Sequence, residues 1–526
     1  MKTATPETPL AAPLANWMAW TLPSLTDVFF LVIVSLLAFG PLHNGLLRDP
    51  DTGWHIRSGE LIWATKELPR SDPFSYTRHG QPWYAWEWFY DAVIAAIHHD
   101  SGLNGVVLST AIIIGCTFAL LFQSILRRCG NLAVAGALTM LAFAAAQVHM
   151  LARPHVLTWL FTVLWMESLF CFDDGQRSAL LRLPPLMLLW VNLHGGFILG
   201  LALLAIFIAG NIGTAFASSR QGDKILPLMN ILLACGLTTL LTPYGYKLHI
   251  HVYEYLSNHF LMDNIEEFTS PNFHLSGYRY FELFFPLVIA GAMFSKRRIS
   301  FTHLLLILFS LHAGLLAARN IPIAAIIMSF VLGPVLAAAF SAAPDQDSCP
   351  GWLRGIIAAE QSISGNMAGL ERQFRGHAWS IIAIIAAAAL VLNGGRMFSH
   401  QVMTSRFDKK ILPVEAGEFI AQKGIRDHLF STDSWSSYLI YRLYPEFKVY
   451  FDDRHDFYGE TFVKECAKAY QGTQQWREPL DRYQVQWVLM PPDSALSSLL
   501  RDEQGWRVEY DDGVAILFAR TDERRP

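Results

Sequence analysis

Eleven apolar runs recur through the first three quarters of the chain, at about 27–43, 103–126, 131–150, 155–171, 183–194, 195–216, 224–243, 278–294, 301–317, 320–340 and 377–395. A helix needs roughly 20 residues to cross the hydrocarbon of a bilayer, and fewer where protein shields it. The fifth run is short and carries Pro184 and Pro185, so the expectation is about 11 crossings. Charge supports a two-part chain. Residues 1–395 hold 22 of the 40 Lys+Arg and 23 of the 44 Asp+Glu, against 18 and 21 in residues 396–526. That is roughly 11% charged against roughly 30%, the contrast between a lipid-embedded and a water-exposed part. The expected fold is therefore an α-helical polytopic membrane domain, 1–395, followed by a small soluble α/β domain, 396–526.

The N-terminus lacks a basic stretch ahead of a small-residue cleavage site, so its first apolar run reads as a retained helix. Arg127-Arg128 and Lys296-Arg297-Arg298 are the densest basic clusters. Placing them in the cytoplasm puts the N-terminus inside, together with Arg177, Arg182, Arg220, Lys224 and the 341–376 loop. The long loops 44–102 and 244–277 and the C-terminal domain then face outward. Trp83 to His98 reads as an aromatic helix lying at the interface, and Gln361 to Arg375 as a helix on the cytoplasmic surface. In the last domain, Val414 to Gln422 and Ser434 to Arg442 read as helices. Leu429 to Thr432, Phe447 to Phe451, Gln486 to Met490 and Val514 to Ala519 read as strands.

A net charge of −4 without a basic run excludes a nucleic-acid partner. The six cysteines show no CxxC spacing, and the C-terminal domain holds only Cys466. No GxGxxG, Walker, HExxH or GxSxG motif is present, which leaves nucleotide, zinc-protease and serine-hydrolase readings unsupported. Histidines do cluster: 12 of the 15 in 1–395 fall at or beyond the expected outer helix ends. Ionisable groups at that depth are costly and tend to line a site.

The first outer loop opens Arg48-Asp49-Pro50-Asp51-Thr52-Gly53-Trp54-His55-Ile56-Arg57. A carboxylate fixed just above a bilayer suits a general base; the same acids also suit a helix cap. Arg153 and Arg319 sit at expected outer helix ends, where a guanidinium fork suits phosphate; snorkelling to headgroups explains them as well. His55 and His194 are placed to position sugar hydroxyls or phosphate, or to serve structure. Trp54, Trp83, Trp86 and Trp88 suit stacking on a sugar or an interfacial belt. His249, His251 and Glu254, followed by Asp263 and Glu266, are weak candidates for a divalent metal such as Mg or Mn. Asp452-Asp453-Arg454-His455-Asp456 reads as a solvated loop with internal ion pairs.

The segments DPDTGWHIRSGELI (49–62), LPRSDPFSYT (68–77) and W-x-x-W-E-W (83–88) together resemble bacterial members of the GT-C superfamily of membrane glycosyltransferases. That superfamily includes the protein O-mannosyltransferases and the aminoarabinose transferases that modify lipid A. ARPH (152–155), WVNLHGGF (190–197), LTPYGYKLH (241–249), ARNIP (318–322) and KVYFDDRHDFYG (448–459) extend the resemblance over most of the chain. It implies a polyprenyl-phosphate sugar donor and a glycan, lipid or protein acceptor, met at the outer face of a bacterial inner membrane. It also implies a catalytic acid in the first outer loop, Asp51 or secondly Asp49. Donor phosphate would fall to Arg153, Arg319, His55 and Arg57. The substrate pocket would draw on Trp54, Glu87, His155, His194, Tyr244 and Asn320. A polysaccharide ligase or polymerase, and a non-catalytic transporter or assembly protein, are the alternatives. The ligase reading would put its arginines in a late loop, and the transporter reading would show repeated halves.

Overall fold

The computed structural model describes residues 15–218, 222–297, 299–342, 350–374 and 376–521; Arg220, Arg298 and Arg375 lie outside the described residues. Each of the eleven apolar runs is helical. Among the described residues six helices are long and apolar enough to cross a membrane: Asn16–Ala38, Trp88–Cys129, Leu132–His149, His155–Asp173, Gly195–Ala217 and Ala318–Ala342. Ile225–Thr238, Phe301–Leu316 and Ala378–Leu392 are shorter apolar helices. The chain is a multi-pass membrane protein, and its bundle is sealed by one continuous apolar core.

Two surface helices differ from the sequence reading. The aromatic segment 83–98 is not a separate helix. Helix starts at Trp88 and runs to Cys129, broken only at Gly102, whose φ of 60° suits glycine. Trp83 lies before it and is buried. The segment expected at 361–375 is the last part of helix Gly351–Glu371. It is fastened to the bundle by capping: the Glu371 carboxylate accepts from the Leu25 and Thr26 amides at 2.9 and 3.0 Å, at the start of helix Leu25–Ala38.

The first long loop is itself folded. Helix Asp51–Thr65 packs on the outer part of helix Trp88–Cys129. Gly59 makes that possible, since a Cβ there would stand 1.9 Å from the Asp91 carbonyl oxygen. On its other side the same helix meets helix Asp433–Leu443 of the C-terminal part. A Cβ on Gly53 would lie 2.6 Å from the Tyr441 Cβ, so the glycine of the DPDTG segment serves this approach.

The C-terminal part carries a four-stranded sheet in the order Leu429–Ser431, Trp487–Met490, Ile516–Arg520, Trp506–Asp511. The first pair is parallel and the other two antiparallel. Three of the four expected strands are present. Phe447–Phe451 is not a sheet strand: Val449 instead exchanges backbone hydrogen bonds with Phe74 and Tyr76 of the first long loop, both at 3.0 Å.

The Asp452–Asp456 stretch is solvated only in part: Asp452 and Arg454 are buried, while Asp456 is exposed. Arg454 is 4% exposed and its guanidinium bridges Asp452 at 2.7 Å and Asp72 at 2.8 Å, beneath the rings of Phe74 and Trp83. The internal ion pair is as expected, but a second acid from a loop some 380 residues away completes it and takes it out of water.

Adding a methyl group at Gly59 should cost about 1–3 kcal/mol by overpacking. At Gly136, where a Cβ meets nothing within 4 Å, alanine should be neutral or stabilising. Thermal unfolding of Gly59→Ala and Gly136→Ala in detergent checks the contrast. Arg454→Met should cost about 3–5 kcal/mol, because two buried carboxylates lose their counter-charge; accelerated proteolytic release of the C-terminal part is the readout.

Candidate active site

Asp51 begins helix Asp51–Thr65, where the helix dipole favours a negative charge. Its amide donates to Asp49 Oδ1 at 2.9 Å, so the Asp-Pro-Asp turn holds both carboxyls on one side. Into that side reaches Arg153. Its Nη1 meets Asp49 Oδ2 at 2.9 Å and its Nη2 meets Asp51 Oδ2 at 2.7 Å. The arginine is aimed by its backbone. The preceding Ala152 donates to the Leu46 carbonyl at 2.8 Å, and its own carbonyl accepts from Thr52 Oγ1 at 2.9 Å and Tyr90 Oη at 3.1 Å. Pro154 then starts helix His155–Asp173.

Glu267, from the second long loop, stands behind this pair. It meets Arg319 Nη1 at 3.1 Å, His149 Nε2 at 3.5 Å and Arg153 Nη1 at 3.8 Å. The guanidinium of Arg319 also lies 4.4 Å from the Phe268 ring centroid. Burial pushes Glu267 up, but Arg319 and Arg153 outweigh it and hold the carboxyl below its ordinary range. Asp49 is different. Burial lifts it above its ordinary range, and the opposing pull of Arg153 does not restore it. Arg153 itself is held charged, its burial overcome by Asp49 and Asp51.

A second cluster adjoins the first. Glu87, just ahead of helix Trp88–Cys129, has His194 Nε2 at 3.5 Å and His55 Nε2 at 3.8 Å. His55 is oriented from behind by Asp91, 2.7 Å from its Nδ1, and Asp91 accepts from Ser58 Oγ at 2.7 Å. His194 is fixed in one tautomer. Its Nδ1 accepts from the Gly196 amide at 3.1 Å and lies 2.7 Å from Thr158 Oγ1, which in turn accepts from Trp190 Nε1. The neutral ring therefore carries its proton on Nε2, toward Glu87. Burial keeps the ring's pKa well below the ordinary histidine value. Burial lifts Glu87 to about 7, with His55 pulling the other way.

From the C-terminal part, Asp453 comes within hydrogen-bonding reach of Asp51 and is driven well up by burial and then by the Asp51 charge. His251 lies beneath the same loop, 3.9 Å from Asp456, with its ring stacked 4.3 Å from that of Trp86.

The structure thus gathers Asp49, Asp51, Arg153 and Arg319 about Glu267, and Glu87, His55 and His194 beside them. Other expected site residues go elsewhere. Arg57 turns away and donates through Nε to the Tyr441 carbonyl at 2.8 Å and through Nη1 to Glu60, fastening the C-terminal helix. Asn320 donates to the Ala313 carbonyl at 3.1 Å and closes a helix end. His155 is buried with Nε2 2.8 Å from the His149 carbonyl, Tyr244 donates to the Ala85 carbonyl at 2.8 Å, and Trp54 stacks on His55. His249, His251 and Glu254 do not converge. They lie on one helix, Tyr246–Ser257, where residues two apart face different sides. His249 Nε2 is 2.8 Å from Thr239 Oγ1, and Glu254 is exposed. Glu267 and Asp433 escaped the sequence reading, which placed Asp453 in a solvated loop.

Structural comparison finds ArnT from Cupriavidus metallidurans in the apo state, at 12% identity over 94% of this chain and 97% of that one, TM-score 0.51. The same protein bound to undecaprenyl phosphate aligns at 12% identity over 94% and 98%, TM-score 0.46. The archaeal oligosaccharyltransferase AglB from Archaeoglobus fulgidus, in complex with an inhibitory peptide and a dolichol-phosphate, aligns at 10% identity over 95% and 74%, TM-score 0.49. No family model matches the sequence, and no curated protein matches it. The apo ArnT match shows that this chain shares that protein's fold along nearly its whole length.

Because the fold raises the Glu87 pKa from 4.5 to about 7, the native state holds that proton more tightly than the unfolded chain. The resulting stabilisation is complete below about pH 4.5 and is lost as pH rises through about 7. Glu87→Gln should remove this component. Its melting temperature should fall less between pH 5 and 7.5 than that of the wild type, and equal slopes in the two proteins would exclude Glu87 as its source.

Proposed function

From the GT-C fold, we propose that this protein transfers a sugar from a polyprenyl-phosphate donor to the hydroxyl of a glycan, lipid or protein acceptor, at the outer face of a bacterial cytoplasmic membrane. One observation carries the reading. Two carboxylates just past the first crossing are bridged by a half-buried arginine, and a second arginine stands behind a shared glutamate. Such a site joins a base to cations able to receive a phosphate.

In the proposed reaction Asp51 takes the proton of the acceptor hydroxyl. Its Oδ1 is buried and has no donor among the described residues, which leaves a lone pair for that proton. The acceptor oxygen attacks the anomeric carbon from the face opposite the phosphate. The bond from that carbon to the phosphate oxygen breaks, and its electron pair leaves with the lipid phosphate. Configuration inverts. Arg319 commits Nη1 to Glu267, and its remaining N–H groups suit the departing phosphate, whose growing charge is the main electrostatic demand of the step. Arg153 holds Asp49 and Asp51 in register and adds positive charge beside them.

Sidedness follows the same logic. Helix His155–Asp173 has Arg153 at its start, and at its far end Lys224 meets Asp173 at 2.6 Å and Arg128 meets Asp174 at 3.0 Å. The basic far end suits the cytoplasm. The acid cluster then faces outward, where sugar nucleotides are absent and a lipid-linked donor is the available form.

Glu87 supports a second assignment of the base, since a pKa of about 7 suits proton transfer near neutral pH. The two are separable. With a radiolabelled polyprenyl-phosphate sugar and purified protein in vesicles, Asp51→Asn should lower kcat by about 10²–10⁴-fold without unfolding the protein. Arg319→Met should chiefly raise the KM for the donor. Full transfer by Asp51→Asn, with loss in Glu87→Gln, moves the base to Glu87; full transfer by both removes the mechanism.

A further inference from the structure

Helix Ala378–Leu392 is short for a bilayer. Its 15 residues rise about 22 Å, against a hydrocarbon layer about 30 Å thick. Tryptophans mark its starting end. Trp17, Trp20 and Trp379 are all exposed there, and Trp379 Nε1 donates to the Thr21 carbonyl at 2.7 Å. Exposed tryptophans at a helix end belong to a membrane–water interface. The shortfall therefore falls at the other end. That end lies on the side of the acid cluster, because the helix runs beside Leu25–Ala38, whose Asp27 accepts from Ser380 Oγ at 2.6 Å and which leads on to Asp49. A hairpin follows it. Arg396–Met397 pairs antiparallel with His400–Gln401. Gln401 Nε2 donates to the Gly394 carbonyl at 3.0 Å, and Arg396 Nε donates to Gln401 Oε1 at 3.1 Å. Asn104 grips the base, its Oδ1 accepting from the Ser405 amide at 2.7 Å and its Nδ2 donating to the Met403 carbonyl at 3.3 Å. At the tip Phe398 has a φ of 54° and Ser399 does not share the positive sign, the pattern of a type II′ turn, which favours glycine at the first position. Phe398 is 92% exposed, the most exposed large apolar side chain among the described residues, and Met397 beside it is exposed as well.

We propose that the hairpin at 396–401 is a lipid anchor, with Met397 and Phe398 seated in the bilayer surface on the side of the acid cluster. Three features point to lipid as the partner. The first is position. Phe398 is three residues past Gly395, so it stays within about 10 Å of the helix end whichever way the hairpin leans. That reach is comparable to the missing length of the helix, about 8 Å. Asn104, which holds the hairpin, stands where the apolar run of helix Trp88–Cys129 begins, just past the break at Gly102. The second is continuity. Ile382, Ile385 and Leu392 form an exposed apolar flank on the helix, and Met397 and Phe398 extend it beyond the helix end. The third is conformation. A phenyl ring in a backbone setting that suits glycine, turned away from the protein, gives the fold no packing in return for its strain. An apolar ring at the interface recovers that cost from lipid. The hairpin opens the C-terminal part, so lipid contact there fixes where that part leaves the membrane. The inference goes beyond sugar transfer and does not rest on it.

The test uses the full-length protein in vesicles of phosphatidylethanolamine and phosphatidylglycerol, with the photo-crosslinking residue p-benzoylphenylalanine in place of Phe398. A second protein carries it in place of Val508, an exposed residue on the edge strand Trp506–Asp511 of the C-terminal sheet. After irradiation, mass spectrometry should find phospholipid attached at position 398 at least tenfold more often than at position 508. Equal lipid attachment at the two positions overturns the proposal, as does no attachment at 398. Attachment at 398 to a second copy of the chain also overturns it and assigns the hairpin to a contact between copies. The exposed ring carries no internal packing, so the variant should keep the wild-type melting temperature in detergent. A nitroxide on Met397→Cys, read after subtracting the signal of the equally labelled wild type, gives a second measure that does not depend on replacing Phe398. Oxygen, which partitions into lipid, should relax it more than a water-soluble nickel chelate does; the reverse order places the hairpin in water and overturns the proposal.

Discussion

The guanidinium of Arg153 holds together the end of the bundle that carries the acid cluster. It meets Asp49 and Asp51 with two nitrogens and draws on Glu267 from a loop more than 100 residues further along. Carboxylates taken out of water need such a partner, since an uncompensated buried charge costs several kcal/mol. A planar fork can serve two acids at once, which a lysine ammonium does with less geometric definition. The backbone around Ala152 clasps the arginine in place before its side chain makes any ionic contact. The orientation of the first loop, the start of the fourth apolar run and the position of the second loop all follow from this one group.

Arg454 repeats the solution at the seam with the C-terminal part, binding Asp72 and Asp452 under a roof of aromatic rings. Around it the loop and the C-terminal part share backbone hydrogen bonds at Val449, a glycine contact at Gly53 and the Arg57–Tyr441 bond. The C-terminal part is accordingly seated on the first loop through polar and steric features as well as apolar ones. Its acids Asp433 and Asp453 come within range of Asp51 because of that seating, which gives the candidate site three sources: the first loop, the helix ends and the C-terminal part.

Much of the helical layout was legible, because long apolar runs leave a chain few other choices and the positions of all eleven are visible as composition. Asp49, Asp51, Arg153, Arg319 and His194 were legible as a group because each charged or polar residue interrupts the end of such a run. Arg57 misled for the same reason: it follows Asp51 on one helix, yet helix Asp51–Thr65 turns it toward Tyr441 rather than toward Asp51. The stretch Asp452–Asp456 misled in the opposite sense. Five ionisable residues in a row suggest solvent, and a partner from the first loop, Asp72, draws Arg454 out of it.

From the sequence alone come the membrane character of the chain, a C-terminal part richer in charge and the polar residues stationed at helix ends. These are local properties, set by which solvent each segment tolerates. The tertiary structure alone decided which acids share a cation, which histidine nitrogen bears a proton and which loop meets which domain. Glu267 beside Arg319, and Asp453 beside Asp51, are pairings of residues tens to hundreds of positions apart. Charge compensation in a buried place depends on distance in space, and the order of residues along a chain does not encode that distance until the chain has packed.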